Sequence, residues 1–579
     1  MISLSLSDVA GWETLLLNES FVAKSEKRIY DSLPHEPETI AVTLFIIGMA
    51  VYYLWRMFAI TPQYDELYTY YTFISRGPIY SAIHWPLPNN HVGYSVLSAI
   101  LDLFGNSFIG LRGVSFVCAV SNLILVYRIC KRYYAHGLPF GAVCLYASMQ
   151  VVNEYSVQGR GYTLATTCFL LAIYVIGDIC RIGEDNKFPY AKLIIALTLG
   201  LYTVPSSVYW VIPVCMSAVL FLVINAYRSK GVYKKISDNI YYKKLKALVF
   251  SGIMAALTTF FLYFLIWLAI GSNLLVKTEG SSFFGMSHAK VILHAPFKAV
   301  GAGIDYMLSQ PYIQSVSTAE FNARYPGWIM NLLEYMIPRG GVLLLIFIII
   351  SLGCLFYECI KHFEYSRTVI NLVVIVNVLF IAIVLVLQHK LPYLRVFSYS
   401  GFIMTLCFCT VMERLINVTI RFYNKNKAKD TWNSSLSREN ETVEKSEKWY
   451  SGIGIYIPMV FMVFVFVFRF FNPSFSMQLG GRENEIFNLL YIADVENRDN
   501  MAVLDCDQQY LLKFGWDIDC EKTDVTDADC VIIDKNMTVQ GYSGEDFWKF
   551  YQTYETIDWD YLATLRVLYE NDNFVLYIK

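Results

Sequence analysis

Two adjacent carboxylates, Asp65 and Glu66, are the residues of this sequence best placed to do chemistry. They lie a few residues beyond a long apolar stretch, within the tyrosine-rich run YDELYTYY at 64–71. Tyrosine favours the headgroup level of a bilayer, so the pattern predicts that the pair lies at a membrane surface. A carboxylate held there is either a solvated loop residue or a general base that removes a proton from an attacking group.

The elements that must position this pair are membrane spans. Of the 579 residues, 56% are hydrophobic and 16% are charged, which is too apolar for an ordinary soluble enzyme. Because about 20 apolar residues cross a bilayer, the apolar runs predict about eleven spans. These lie at 39–60, 108–128, 138–153, 161–180, 190–204, 207–226, 247–270, 340–358, 368–387, 397–416 and 450–471. The shorter apolar stretch 91–105 predicts an interfacial helix.

Basic residues predict the orientation of these spans. The loops after the second, sixth and tenth spans are rich in Lys and Arg, whereas residues 61–107 contain only Arg76. Such basic loops stay in the cytoplasm. We therefore expect the segment 1–38 to be cytoplasmic, and the loops 61–107 and 271–339 of the transmembrane domain 39–471 to be outside. The basic loops and dense tyrosine content suit a bacterial plasma membrane, and an endoplasmic reticulum protein would share this topology.

Residues 476–579 are predicted to form a small extracytoplasmic α/β domain, because strand-like and helical patterns alternate along them. The strand patterns lie at 501–505, 529–534, 565–569 and 574–578, and the helical patterns lie at about 483–494 and 545–556. The last two strands are predicted to form a hairpin that turns at 571–573. The predicted fold class is a polytopic α-helical membrane protein with this small domain at its C-terminal end.

Several motifs follow one another in order along the chain. They are YDELYTYY (64–71), PLPNNH (86–91), LFGNS (103–107), LRGVS (111–115), EYSVQGRGYTL (154–164) and HKLPYLRVFSY (389–399). This ordered set resembles the GT-C glycosyltransferases, and it is most similar to the branch that includes protein O-mannosyltransferases and lipid A aminoarabinose transferases. The resemblance covers most of spans one to six and is looser in the loop 271–339 and in the C-terminal domain.

The resemblance implies an enzyme that moves a hexosyl or pentosyl group from a polyprenyl-phosphate donor to a hydroxyl of a glycan, lipid or protein acceptor outside the membrane. Phosphate is a competent leaving group, so one carboxylate that deprotonates the acceptor suffices, whereas hydrolases need a second acid. Asp65 matches the family's catalytic base, which implies inversion at the anomeric carbon. Glu66 matches its second acidic position, which orients the base or binds the acceptor or a metal.

Cations at headgroup depth are needed to hold the lipid phosphate. Arg160 aligns with the family's arginine, although a snorkelling interfacial arginine explains it equally well in isolation. Lys390 and Arg395 form a second basic group. The family's glutamate two residues before the arginine is replaced by Gln158, and Glu154 is the nearby carboxylate. The remaining predicted substrate-binding residues are Asn90, His91 and Tyr162.

The residues alone are also compatible with two other functions. A flippase or transporter of lipid-linked sugars also handles lipid phosphate, but transporters usually show ionisable residues at mid-membrane depth and internal repeats, and no repeat is evident in this sequence. A polymerase or ligase of lipid-linked glycans typically uses paired arginines in a late outer loop, where this chain has only Arg324 and Arg339. The resemblance leaves the cofactor open, since some branches need a divalent metal and others do not. It implies the lipid-linked donor and membrane lipids as partners, and no nucleic acid.

Overall fold

The computed structural model describes residues 36–85, 89–181, 189–233, 235–276, 286–309, 313–363, 367–434, 454–472, 475, 481–498, 500–520, 525–538, 554 and 557–579. The predicted N-terminal segment 1–38 lies outside these residues except for 36–38. The predicted helix at 545–556 also lies outside them except for residue 554.

Helices make up most of the described chain. In chain order they are α1 (Pro37–Ala59), α2 (Tyr64–Thr72), α3 (Pro78–Ile83), α4 (Val92–Asp102), α5 (Ser107–Tyr133), α6 (Leu138–Ala147), α7 (Gln150–Tyr155), α8 (Tyr162–Ile179), α9 (Tyr190–Thr203), α10 (Val208–Arg228), α11 (Ile240–Val276), α12 (Met286–His294), α13 (Pro296–Ser309), α14 (Thr318–Met336), α15 (Gly341–Lys361), α16 (Thr368–Gln388), α17 (Ser400–Ser434), α18 (Ile457–Phe470), α19 (Gly481–Ile492), α20 (Cys506–Trp516) and α21 (Trp559–Leu562).

A helix lies at each of the eleven predicted spans. Among the described residues, 8 helices are long and apolar enough to cross a membrane, namely α1, α5, α8, α10, α11, α15, α16 and α17. The other three predicted spans contain the shorter apolar helices α6, α9 and α18. The predicted span 138–153 is divided because Met149 adopts an extended conformation between α6 and α7. The predicted interfacial helix is the short helix α4.

Helix α5 is central to the bundle and packs against α1, α4, α6 and α8. It begins at Asn106, whose side chain caps the helix by accepting a hydrogen bond from the Ile109 amide at 3.1 Å. Polar residues are buried along its inner face, including Arg112 and Ser115. Buried polar groups in such a helix need partners, so α5 fixes the segments that supply those partners.

The C-terminal region contains a four-stranded sheet at the four predicted strand positions. The strands are β1 (Met501–Ala502), β2 (Cys530–Asp534), β3 (Arg566–Glu570) and β4 (Phe574–Ile578), in the order β1-β2-β4-β3. β1 and β2 are parallel, and the other two pairs are antiparallel. β1 is shorter than predicted because the chain turns into α20, where Asp505 caps the helix by accepting a hydrogen bond from the Gln508 amide at 2.9 Å.

An arginine ties α19 to the ends of the parallel strands. Arg482 lies 2.8 Å from the Asp505 carboxylate and 2.7 Å from that of Asp534, and it also pairs with Asp507. Ile486 and Leu490, which follow Arg482 at four-residue spacing, share an apolar cluster with residues of α2 and α20. The sheet region is thereby packed directly against α2, the helix that carries the predicted catalytic pair.

Helices α11 and α13 approach so closely that two glycines leave no room for a side chain. A Cβ at Gly271 would lie 1.6 Å from the Ala299 carbonyl oxygen, and one at Gly303 would lie 2.1 Å from the Trp267 carbonyl oxygen. Backbone contact of this kind is typical of small residues at helix interfaces in membranes. The contact seats α13 in a cluster that also contains Trp85.

We expect Gly303→Ala to lower the thermal stability of the purified chain, because the new methyl group must push α13 away from α11. Gly301→Ala is the matched control, since nothing lies within 4 Å of a Cβ there and both changes raise helix propensity by about 1 kcal/mol. The measurement is the unfolding midpoint of each variant in detergent. Equal midpoints for the two variants would contradict the close packing.

Candidate active site

Glu66 is the more tightly held carboxylate of the predicted pair. Its side chain is 0% exposed, and Arg112 donates to both of its oxygens at 2.8 Å. At the start of α2, the Gln63 amide donates to Glu66 Oε2 at 3.0 Å in a capping box. The Gly159 amide donates to Oε1 at 2.6 Å. Glu66 therefore joins α2, α5 and the segment that leads into α8.

Arg112 also forms hydrogen bonds with the end of the first span. Arg112 Nη1 donates to the carbonyl oxygens of Met57 at 3.0 Å and Ile60 at 2.6 Å. These carbonyls belong to the last turn of α1 and its cap, where intrahelical donors run out. The Arg112 guanidinium thus donates hydrogen bonds both to the carbonyl oxygens at the end of α1 and to the Glu66 carboxylate of α2. That buried carboxylate balances its buried positive charge.

Asp65 lies between two guanidinium groups from distant parts of the chain. Its carboxylate, 29% exposed, places Oδ2 at 3.8 Å from Arg160 Nη2 and at 3.5 Å from Arg395 Nη1. Both distances exceed the about 2.7–2.9 Å of a charge-assisted hydrogen bond. The two cations therefore flank the carboxylate without forming a tight fork on it, and three predicted site residues meet at one place.

Arg160 is almost fully buried and is held by the segments around it. Its Nη1 donates to the Thr69 hydroxyl at 2.8 Å and to the Asp65 carbonyl at 3.2 Å, and its Nη2 donates to the Asn89 side chain. Among the described residues, its Nε has no hydrogen-bond partner although it is buried. A guanidinium with a remaining donor at a cavity wall is suited to bind an anion.

His91 and Tyr162 form the neighbouring part of the site. The Gly161 amide donates to His91 Nδ1 at 2.9 Å, so the proton of the neutral ring lies on Nε2. Burial, together with nearby Arg160 and Arg395, keeps the pKa of His91 well below its ordinary value. The ring packs edge-to-face on Tyr162 at 4.8 Å. His91 is therefore a neutral donor at this position.

A cavity of about 300 Å³ opens beside these residues. Its polar wall contains the predicted residues Asn90, His91, Arg160, Tyr162 and Lys390, together with Asn89 and Ser206. Its apolar wall contains Trp85, Val204, Pro205, Tyr209, Ile313, Pro392, Tyr393 and Val396. These residues come from the predicted outer loops 61–107 and 271–339 and from the segments 160–162, 204–209 and 390–396, so these parts of the chain meet at one end of the bundle. Which side that end faces stays a prediction.

Two predicted residues have roles of a different kind in the structure. Asn90 is buried and donates to the carbonyls of Ser81 at 3.0 Å and His84 at 2.9 Å, and its Oδ1 accepts from Ser95 at 2.8 Å, so it holds the loop before α4. Glu154 lies on α7 outside the cavity wall. Burial raises the pKa of Glu154 to about 7, against opposing effects of a Tyr335 hydrogen bond and nearby arginines.

Arg112, Asn89 and Thr69 contribute to the site although no role was predicted for them. An ion pair of Arg112 could have been predicted, because an unpaired arginine inside an apolar span is energetically unfavourable. No sequence feature predicted the roles of Asn89 and Thr69, since polar residues are common in loops and helices of any protein. Their importance follows only from their contacts with Arg160.

The residues around Asp65 do not fit a divalent metal. Its closest charged partners are guanidinium groups, which cannot ligate a cation, and no three His, Cys, Asp or Glu side chains come together in the described part of the chain. A hard cation such as Mg²⁺ requires several oxygen ligands.

Residues 91–240 match the protein family described as dolichyl-phosphate-mannose-protein mannosyltransferase. The matched region contains His91, Glu154, Arg160 and Tyr162. This match confirms, over that region, the predicted resemblance to the mannosyltransferase branch of the GT-C glycosyltransferases. No curated protein matches the chain in sequence.

Three solved structures align with the chain at low similarity. ArnT from Cupriavidus metallidurans bound to undecaprenyl phosphate aligns with a TM-score of 0.48 and 10% identity, over 92% of this chain and 97% of that one. The oligosaccharyltransferase AglB from Archaeoglobus fulgidus, in complex with an inhibitory peptide and a dolichol-phosphate, aligns with a TM-score of 0.39 and 11% identity, over 78% of this chain and 58% of that one. The arabinosyltransferase EmbB from Mycobacterium smegmatis aligns with a TM-score of 0.37 and 9% identity, over 88% of this chain and 44% of that one. The chain thus spans little more than half of the archaeal enzyme and less than half of the mycobacterial one.

We expect Glu66→Gln to destabilise the chain by about 3–5 kcal/mol, because it leaves the buried Arg112 charge without its counter-charge. Glu320→Gln is the control, since Glu320 and Arg324 form an exposed i,i+4 pair at 3.1 Å whose loss costs about 0.3–0.5 kcal/mol. Denaturant unfolding of the purified variants measures both. A similar, small loss in the two variants would show that the buried pair does not hold α2 in place.

We expect Glu154 to make the folded state less stable as the pH rises. Its folded-state pKa of about 7 lies above the ordinary value of 4.5, so between these values the folded chain binds more protons than the unfolded chain and stability falls with rising pH. Glu154→Gln, which stays neutral, lacks this loss. The measurement is the unfolding midpoint of both forms at about pH 5 and about pH 8. A constant difference between the two forms would refute the assignment.

Proposed function

We propose that this chain is an integral membrane glycosyltransferase that moves a sugar from a polyprenyl-phosphate donor to a hydroxyl acceptor at the outer face of the membrane, with inversion. The observation that carries the proposal is the position of the Asp65 carboxylate between Arg395 and Arg160, because Arg160 also lines the cavity. The family match over residues 91–240 supports both the class of reaction and the class of donor.

The cavity suits a lipid phosphate because its two walls differ in character. The apolar wall, which includes Val204, Pro205 and Val396, can pack against an isoprenoid chain. The polar wall offers Arg160 and Lys390 to the phosphate oxygens, and cations at a headgroup are the usual way to hold such an anion. We place the donor phosphate here, with the neutral His91 as an additional hydrogen-bond donor.

Asp65 then acts on the acceptor. The acceptor oxygen attacks the anomeric carbon while the Asp65 carboxylate accepts its proton, and a new C–O bond forms on the face opposite the phosphate. The bond between the anomeric carbon and the phosphate oxygen breaks, and its electron pair leaves with the phosphate. Arg160 and Arg395 stabilise the negative charge that develops there. One carboxylate is sufficient because the leaving group needs no proton.

Glu66 serves as a positioning residue in this proposal. Its oxygens are occupied by Arg112 and by the Gln63 and Gly159 amides. The Gly159 contact fixes the residue that directly precedes Arg160, so one buried carboxylate sets both the base and its neighbouring cation. Precise placement of this kind contributes strongly to rate.

We expect Asp65→Asn to lower glycosyl transfer by about 10²–10⁴-fold, since the amide cannot accept the acceptor proton. Asp102→Asn is the matched control, because Asp102 lies in the same loop and accepts a hydrogen bond from Tyr70 at 3.1 Å, which asparagine retains. The assay uses purified chain in lipid vesicles, a panel of polyprenyl-phosphate hexoses and pentoses radiolabelled in the sugar, and membrane extract as acceptor.

Three outcomes of that assay would contradict the proposal. Normal transfer by Asp65→Asn would remove the base assignment. Equal loss in both variants would show a nonspecific effect of the loop. Movement of the intact donor across the vesicle membrane, with no transfer of sugar by the unmodified chain, would favour a flippase.

A further inference from the structure

The loop 389–397, between α16 and α17, carries two of the basic residues of the proposed reaction site. Arg395 Nη1 lies 3.5 Å from Asp65 Oδ2, and Lys390 lines the cavity beside Arg160. Arg395 belongs to a short 3-10 turn, Leu394–Phe397. Loops are more mobile than the helices that they connect, so contacts from elsewhere in the chain must fix these two cations.

Helix α14 and the residues just before it contact the first residue of this loop. The Val316 amide donates to the His389 carbonyl at 2.8 Å, and the Phe321 ring packs edge-to-face on the His389 ring at 5.4 Å. His389 has a φ of 47°, a left-handed conformation that is costly for a residue other than glycine. The two contacts hold His389 in that conformation, and they thereby set the direction in which the chain continues to Lys390.

One side chain of α14, Trp328, contacts the loop on both sides of Arg395. Its indole Nε1–H donates to the Pro392 carbonyl at 2.8 Å, and its ring packs edge-to-face on the Phe397 ring at 5.4 Å. Phe397 is itself fully buried, so the ring contact ties the loop to the interior of the bundle. The turn that carries Arg395 therefore lies between two points that Trp328 holds.

Stacked rings along α14 hold Trp328 in this position. The ring centroids of Phe321 and Tyr325 are 4.8 Å apart, and those of Tyr325 and Trp328 are 6.4 Å apart, with interplanar angles of 21° and 14°. Side chains four and three residues apart lie on the same face of a helix. The far end of α14 is also fixed, because the Tyr335 hydroxyl donates to the Tyr155 hydroxyl of α7 at 3.3 Å. Helix α14 is thus attached to the bundle at both ends.

We propose that Trp328 is a positioning residue, which fixes the turn Leu394–Phe397 so that the Arg395 guanidinium lies beside the Asp65 carboxylate. Its effect on catalysis rests on the proposed function, whereas its effect on the loop rests on the contacts alone. Trp328 does not line the cavity, so it acts on the reaction through the loop. Because Lys390 is held separately, through the contacts at His389, Trp328 orients Arg395 and leaves donor binding to other residues.

Steady-state kinetics of Trp328→Phe test the proposal, because this change removes the hydrogen bond to Pro392 and keeps a ring against Phe397. We expect kcat for glycosyl transfer to fall by about 2–10-fold, the loss expected for one neutral hydrogen bond, with the KM for the donor unchanged. Trp559→Phe is the matched control, since Trp559 is exposed in the C-terminal region, and it should leave both constants unchanged. A higher KM with an unchanged kcat, or no change in either constant, would overturn the proposal.

A double-mutant cycle distinguishes positioning of Arg395 from a general effect on the fold. Arg395→Gln alone should lower kcat by about 10²–10³-fold, because it removes a charge that stabilises the transition state. Adding Trp328→Phe to Arg395→Gln should lower kcat no further, since the side chain through which Trp328 acts is already absent. If the two losses multiply instead, Trp328 acts independently of Arg395 and the proposal is wrong.

Amide hydrogen exchange of the full chain in detergent measures the positioning of the loop without any assay of activity. Exchange in the loop 389–397 should be faster in Trp328→Phe than in the unmodified chain, and Trp559→Phe should leave it unchanged. Faster exchange in a chain that transfers no sugar would refute the proposed function and leave the positioning of the loop intact. Transfer by the unmodified chain, with loop exchange and kcat both unchanged in Trp328→Phe, would refute the role of Trp328 and leave the proposed function intact.

Discussion

The buried ion pair between Glu66 and Arg112 is the constraint on which this end of the molecule depends. Both side chains are 0% exposed, and a charge in that position is tolerated only when its partners are complete. Completing them requires the end of α1, the start of α2, the middle of the bundle at α5 and the Gly159 amide to meet at one point. Because Glu66 and Arg112 need all of these contacts, the loop that follows the first span keeps little conformational freedom.

The proposed reaction site follows from that constraint. Asp65 is the neighbour of Glu66 on α2, and Arg160 is the neighbour of Gly159, so the ion pair sets the base and one cation side by side. The second cation, Arg395, lies in the loop between α16 and α17 and contacts the same carboxylate oxygen of Asp65. One carboxylate thus faces two guanidinium groups from two other segments, and the cavity that Arg160 lines can admit an anion.

Helix α2 also links the membrane domain to the sheet region. Leu67 and Tyr71 belong to the apolar cluster of α19 and α20, while Asp65 and Thr69 face Arg160. One short helix therefore presents its charged face to Arg160 and its aromatic face to the C-terminal region. This arrangement connects the C-terminal region directly to the proposed reaction site, through contacts on the helix that carries the proposed base.

The positions of the eleven predicted spans and of the four strands follow from the sequence alone, because hydrophobic length and periodicity are local properties of the chain. The helices α12, α13 and α14 in the loop 271–339 were not predicted. The sequence also pointed to Asp65, Arg160 and Arg395, through motif order and the position of charges next to apolar runs. The pairing of Glu66 with Arg112, a residue 46 positions away, could be seen only in the folded chain, since such pairing depends on which helix faces meet. The break at Met149 and the role of Asn90 in holding the loop before α4 could not be predicted either, because each depends on contacts between segments whose local patterns carry no information about one another.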